Sequence, residues 1–260
     1  MHNGVNVMSN KVREKTPRWL VGFKEKPETL VRLFCFPYAG GSAATFRAWP
    51  DAFPGHIQVL PVQLPGRGER LAEPGFKHLP DMIQTLGPAL LPYFNKPFAF
   101  FGHSMGGLIS LELTRWLRRT GKPMPAQLFI SGRRAPQLPN EELPSFDLPE
   151  REFIERLREL NGTPPEVLDH PELMQLMIPM LRADFSVCET YQYHAEPPFN
   201  CPITVFGGLG DVEVPREKLD PWREQTTASF SLHMLPGNHF FLHTAQPEII
   251  RLTTEKLARQ

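Results

Sequence analysis

The sequence predicts an α/β fold: a mostly parallel, doubly wound sheet flanked by helices, with a helical insertion late in the chain. Three observations carry this reading. Six short apolar runs recur along the chain, and most are apolar on both faces, the pattern of strands buried between two helical layers. Helix-like segments separate them. Between Arg133 and Pro202, by contrast, no run reads as a strand, while three helix-start patterns occur. At 260 residues, 41% hydrophobic and 22% charged, the chain suits one such domain over residues 1–260.

The strand candidates, in order, are Val31 to Phe36, Ile57 to Val62, Phe98 to Phe101, Gln127 to Ser131, Ile203 to Gly207 and Phe230 to Leu235. Gly107 to Arg119 reads as a helix through Leu108, Ile109, Leu111 and Leu117, and Gly121 stops it; Glu248 to Ala258 is a final helix. In the strandless stretch, Asp147-x-x-Glu150, Thr163-x-x-Glu166 and Asp169-x-x-Glu172 each resemble a capping box. Glu150 to Leu160 is amphipathic through Phe153, Ile154, Leu157 and Leu160. The next segment, "ELMQLMIPMLRADF", is apolar nearly all round, with Met174, Met177 and Met180 three residues apart and Pro179 placed to kink it. Two readings stay open. The segment is a satellite core with Met as filler, or part of a lid over about residues 136–193 whose thioethers line a substrate chamber.

Charge and cysteine usage exclude several classes. Lys plus Arg and Asp plus Glu each total 28, so no global field favours nucleic acid or an anionic membrane, and neither is expected as a partner. Three cysteines, Cys35, Cys188 and Cys201, without a CxxC spacing argue against a disulfide framework or a zinc site. The N-terminal residues have no apolar core of a signal peptide, and no run approaches the roughly 18 apolar residues of a spanning helix, so a cytoplasmic protein is expected. Met8 is an alternative start, and the first ten or so residues carry no structural weight.

The chemistry centres on "FAFFGHSMGG", residues 98–107, where an apolar strand must turn sharply into a helix at a G-x-S-x-G pentapeptide. That elbow would hold Ser104 exposed at the carboxyl end of a strand, as a nucleophile; the plainer alternative is an N-cap serine. A serine hydroxyl needs a base. His239 in "LPGNHFFL" follows the last strand candidate, with His243 as competitor; His233 lies inside a strand, and the side chain of His103 should point away from Ser104. The base needs a carboxylate to fix its tautomer. Asp211 follows an apolar strand through a Gly-rich turn, with Glu213 as substitute, whereas Asp147 and Asp184 lie in an insertion expected to move relative to the sheet. Donors for an oxyanion are expected from the backbone N–H of Met105 and of Ala39, the latter in "FCFPYAGGS". Neither GxGxxG nor GxxxxGK[ST] occurs, which disfavours a nucleotide site.

Together, "LFCFPYAGGSA", "VQLPGRGERL", "FAFFGHSMGG", the Asp211 turn and "PGNHFFL" resemble the type II thioesterases of polyketide and nonribosomal peptide synthesis. These are α/β-hydrolases related to the medium-chain thioesterase of animal fatty acid synthesis. Five separated motifs agree in order from about Arg32 onward. The resemblance implies an editing hydrolase that removes acyl groups from the phosphopantetheine arm of acyl or peptidyl carrier proteins, with Ser104, Asp211 and His239 as triad. No cofactor or metal is implied, and a monomer is expected. A medium-chain acyl-carrier or acyl-CoA thioesterase and a general carboxylesterase are the alternatives. Arg67 and Arg70 of "LPGRGER" either organise the site mouth or meet phosphate, or form loop salt bridges, the last being favoured. Arg133, Arg134, Arg151, Arg156 and Arg158 are the candidates for docking an acidic carrier, against a plain reading as a solvated face with neighbouring glutamates.

Overall fold

The computed structural model describes residues 18–140 and 143–258, so the alternative start at Met8 lies outside the described residues. A six-stranded sheet forms from β1 (Val31–Phe36), β2 (Ile57–Pro61), β3 (Phe98–His103), β4 (Gln127–Ser131), β5 (Ile203–Gly208) and β6 (Phe230–Leu235). Neighbours run in the order β2-β1-β3-β4-β5-β6, and every pair is parallel. All residues of β1 to β5 are buried, as two-sided apolarity requires, while the edge strand β6 is only partly covered. β3 runs two residues beyond Phe101, because Gly102 and His103 continue the ladder to Ile130 and Ser131.

The helices are α1 (Trp49–Ala52), α2 (Leu79–Leu90), α3 (Met105–Arg119), α4 (Glu150–Leu160), α5 (Pro165–Leu168), α6 (Pro171–Glu189), α7 (Arg216–Leu219), α8 (Phe241–Thr244) and α9 (Gln246–Leu257). Strand alternation divides the core between the two faces of the sheet. Phe34, Phe36 and Phe100 pack with Leu86, Leu108 and Leu111 of α2 and α3; Cys35, Phe101 and Phe129 pack on the other face with Trp49, Phe241 and Ile249. α4, α5 and α6, all between β4 and β5, enclose a third cluster around Phe153, Leu157, Leu168 and Met174. No helix among the described residues is long and apolar enough to cross a membrane, and Cys35, Cys188 and Cys201 are all free.

The three capping boxes do not form. α4 starts after Pro149 and α5 after Pro164, neither with a side-chain cap, and α6 is capped by His170, whose ring accepts the Leu173 N–H. Asp147, Thr163 and Asp169 each stand one or two residues ahead of the capping position. Prolines define these starts instead: a fixed φ and a missing N–H cost nothing in the first turn. Asp169 is spent on an ion pair with Arg158.

Strand order positions the site. The chain lays β2 on one side of β1 and then β3 on the other, so the loops leaving β1 and β3 diverge over a crevice at the sheet's carboxyl edge. Because every strand is parallel, the loops after β5 and β6 open on the same edge.

Candidate active site

Ser104 sits at the sharp turn between β3 and α3 with φ 52° and ψ −111°, a conformation non-glycine residues rarely adopt. Neighbouring backbone allows it only because glycines flank it. A Cβ on Gly102 would stand 2.0 Å from the Gly106 carbonyl oxygen, and one on Gly106 would stand 2.1 Å from that of Phe36. The Ser104 N–H donates to Ser131 O at 2.7 Å, tying the elbow to β4. Ser104 takes the N-cap position of α3, but its side chain makes no capping bond there.

Asp211 and His239 meet. Asp211 leaves the turn after β5 and His239 the loop after β6, and His239 Nδ1 lies 2.7 Å from Asp211 Oδ2. The other carboxylate oxygen accepts the N–H groups of Glu213 and Val214 at 3.1 and 3.0 Å, which fixes the acceptor's direction. Burial raises the Asp211 pKa, but the hydrogen bond and charge of His239 and the two N–H donors outweigh it, leaving the carboxyl below its ordinary value. Glu213 lies on the cavity wall and is not the partner of His239.

Ser104 and His239 line one cavity of about 180 Å³, together with Tyr38, Ala39 and Phe240. No hydrogen bond joins Ser104 to His239. Such contacts are often loose without substrate and close in the bound complex. The competing histidines are occupied elsewhere. His243 Nε2 meets the Tyr38 hydroxyl at 3.1 Å, and burial lowers its pKa. His103 is fully buried with Nδ1 2.8 Å from Ser131 Oγ, and burial first, then the neighbouring His239, pushes its pKa well down.

Met105, the residue after the nucleophile, opens α3 with its side chain in the core, and Ala39 lies on the cavity wall. The loop carrying Ala39 is braced, a contact sequence reasoning missed. Asp184 of α6, expected to move with its insertion, is fully buried: it accepts the Gly40 N–H at 2.8 Å and two N–H groups of Arg67 at 2.7 Å each. Arg67 thus serves the Ala39 loop, and Arg70 its own loop. Arg67 also donates to Gly41 O and Pro65 O, and Arg70 to Glu73 and Gln63 O while stacking on Trp19.

The methionines fall outside this cavity's lining. Met174, Met177 and Met180 do not line the cavity; Met174 and Met180 are buried in the insertion's own cluster, and Met180 packs on Gly66. A thioether three residues along a helix from another shares its inward face, so the spacing that pointed to a chamber points here to a core. The insertion's contribution to the cavity wall includes Arg156, Leu157, Leu160, Phe185, Cys188 and Glu189. Of the basic candidates, Arg133, Arg134 and Arg156 reach the cavity, and Arg158 pairs with Glu155 and Asp169.

Comparison with known proteins is consistent along the chain. The model of the thioesterase domain family matches residues 31–257. The protein named Linear gramicidin dehydrogenase LgrE, from Brevibacillus parabrevis, is 47% identical over 243 residues, 92% of each chain. Gramicidin S biosynthesis protein GrsT, from Aneurinibacillus migulanus, is 46% identical over 240 residues, 92% of this chain and 94% of that one. The solved type II thioesterase BorB from the borrelidin biosynthetic cluster superposes with a TM-score of 0.84 at 32% identity, over 94% of this chain and 99% of its own.

Proposed function

Because the chain belongs to the thioesterase domain family, we propose that it hydrolyses acyl thioesters on the phosphopantetheine arm of carrier proteins, as an editing enzyme of nonribosomal peptide or polyketide synthesis. The observation that carries the chemistry is the Asp211–His239 hydrogen bond of 2.7 Å beside a strained Ser104 on one cavity wall. Ser104 Oγ attacks the thioester carbonyl while His239 Nε2 takes its proton. The oxyanion is met by the N–H groups of Met105 and Ala39, the C–S bond breaks, and the thiolate leaves with the proton returned by His239. Water, deprotonated by His239, then attacks the acyl-Ser104 ester; the acid is released and the serine proton restored. Thiolate is a better leaving group than alkoxide, so this route demands less of the acid histidine than an ester would.

The relatives' names support the pathway: two carry gramicidin in their names, and BorB is a type II thioesterase. The enzyme works as a monomer in the cytoplasm, where carrier proteins are its macromolecular partners and free thiols persist. Side-by-side kinetics on acyl-carrier protein, the matching acyl-CoA and a p-nitrophenyl ester test the reading. Carrier thioester should have the highest kcat/KM, and preference for the oxygen ester would overturn it.

A further inference from the structure

The Arg67–Asp184 pair is more than a fastener for α6. Asp184 is 0% and Arg67 5% exposed. Burying an ion pair costs desolvation that its attraction repays only with full hydrogen bonding, and an apolar pair of similar volume commonly holds a core as well or better. One thing an apolar pair does not do is accept an N–H. Asp184 Oδ2 accepts that of Gly40 at 2.8 Å, while Arg67 Nη1 holds the next carbonyl, Gly41 O, at 2.9 Å. Leu181, one turn earlier on α6, closes on Gly40 from the side, since a Cβ there would stand 2.7 Å from its Cδ2. Gly40 directly follows Ala39.

We propose that Asp184 is a positioning residue for the oxyanion site: it fixes the Gly40 peptide and thereby aims the adjoining Ala39 N–H at the oxygen of the tetrahedral intermediate. This rests on the assignment of Ser104 and Ala39 above. The insertion is thus a working part of the catalytic loop, because its helix α6 supplies the acceptor that sets the loop's geometry.

The double variant Arg67→Met/Asp184→Leu removes the acceptor while keeping apolar packing. It should remain folded, with a melting temperature near that of the wild type. Misaiming one donor should lower kcat about tenfold to a hundredfold with KM within about threefold. Arg67→Met/Asp184→Asn, which keeps an oxygen for the Gly40 N–H without leaving a buried guanidinium unpaired, should recover most of the loss. A second measurement separates positioning from general damage. An acyl trifluoromethyl ketone forms an oxyanionic hemiketal with Ser104, and its affinity should fall in the double variant by the same factor as kcat. A thioether analogue with CH2 in place of the carbonyl should bind both proteins equally. Wild-type kcat in the folded double variant, or equal loss of affinity for both analogues, overturns the proposal. A wild-type enzyme that neither cleaves thioesters nor binds the ketone overturns the Ser104 reading itself, and the brace with it.

Discussion

At Ser104 the backbone stores roughly 1–3 kcal/mol in its left-handed conformation. Ser104→Gly should release part of this and raise the melting temperature by about 2–4 °C per kcal/mol, whereas Ser104→Ala, which keeps a Cβ, should not. Both should lose about 10³-fold or more in turnover, and thermal melts beside single-substrate kinetics check the pair. Asp211 gives a signed pH prediction. Its folded pKa lies below the ordinary carboxylate value, so its stabilisation is complete at neutral pH and is lost as pH falls from about 4 through the folded value. Acid unfolding of Asp211→Asn should lack that component; superimposable acid limbs would refute it. The strained turn at Ser104 and the meeting of Asp211 with His239 were legible because each residue sits in a short motif at the carboxyl end of a strand. The bond of His243 to Tyr38 and that of Asp184 to Gly40 were not, since each joins residues 205 and 144 positions apart with no pattern at either end.

Among the elements, the insertion separates a core reading from a chamber reading by mutation. Met174 is 2% exposed inside its cluster, so Met174→Ala should cost about 2–5 kcal/mol, while Met174→Leu should cost under about 1.5 kcal/mol and leave acyl preference unchanged. Phe185→Ala, opening the cavity wall, should instead raise kcat/KM for bulkier acyl groups. A series of acyl-pantetheines of rising length, set against melting temperatures, measures both. The bounds of α4 could be read from its amphipathic period, because one face buries Phe153 and Leu157, the former edge-on to Phe185, while the other is wet. α2 was passed over although Leu79, Met82, Ile83, Leu86 and Leu90 keep helical spacing. Its Pro80, Gly87 and Pro88 look like breakers. Pro80 stands in the first turn, where it is harmless, and Gly87 is there for α3: a Cβ would come within 2.7 Å of the Trp116 ring. Helix crossing, which no single segment records, explains that glycine.

Over the whole molecule formal charge is zero, so the proposed docking of an acidic carrier rests on a local patch, with Arg133, Arg134 and Arg156 on the cavity wall as its candidates. Added salt should therefore lower kcat/KM for the acyl-carrier substrate and change the acyl-CoA value little; identical salt responses would remove carrier recognition. Two-sided apolar runs announced a parallel sheet, yet they could not announce its order, because a buried parallel strand has no alternation to mark which neighbour it takes. The order has a consequence in time. Ser104 hangs from a central strand, but its proposed base, His239, follows β6, the sheet's outer strand on the opposite side from β2. A ribosome that has completed the nucleophile elbow has still to make more than half of the distance to residue 239, and the half-made protein carries a serine with no partner. With the triad proposed above, acyl groups on a cell's carriers are safe from this enzyme until β6 has docked.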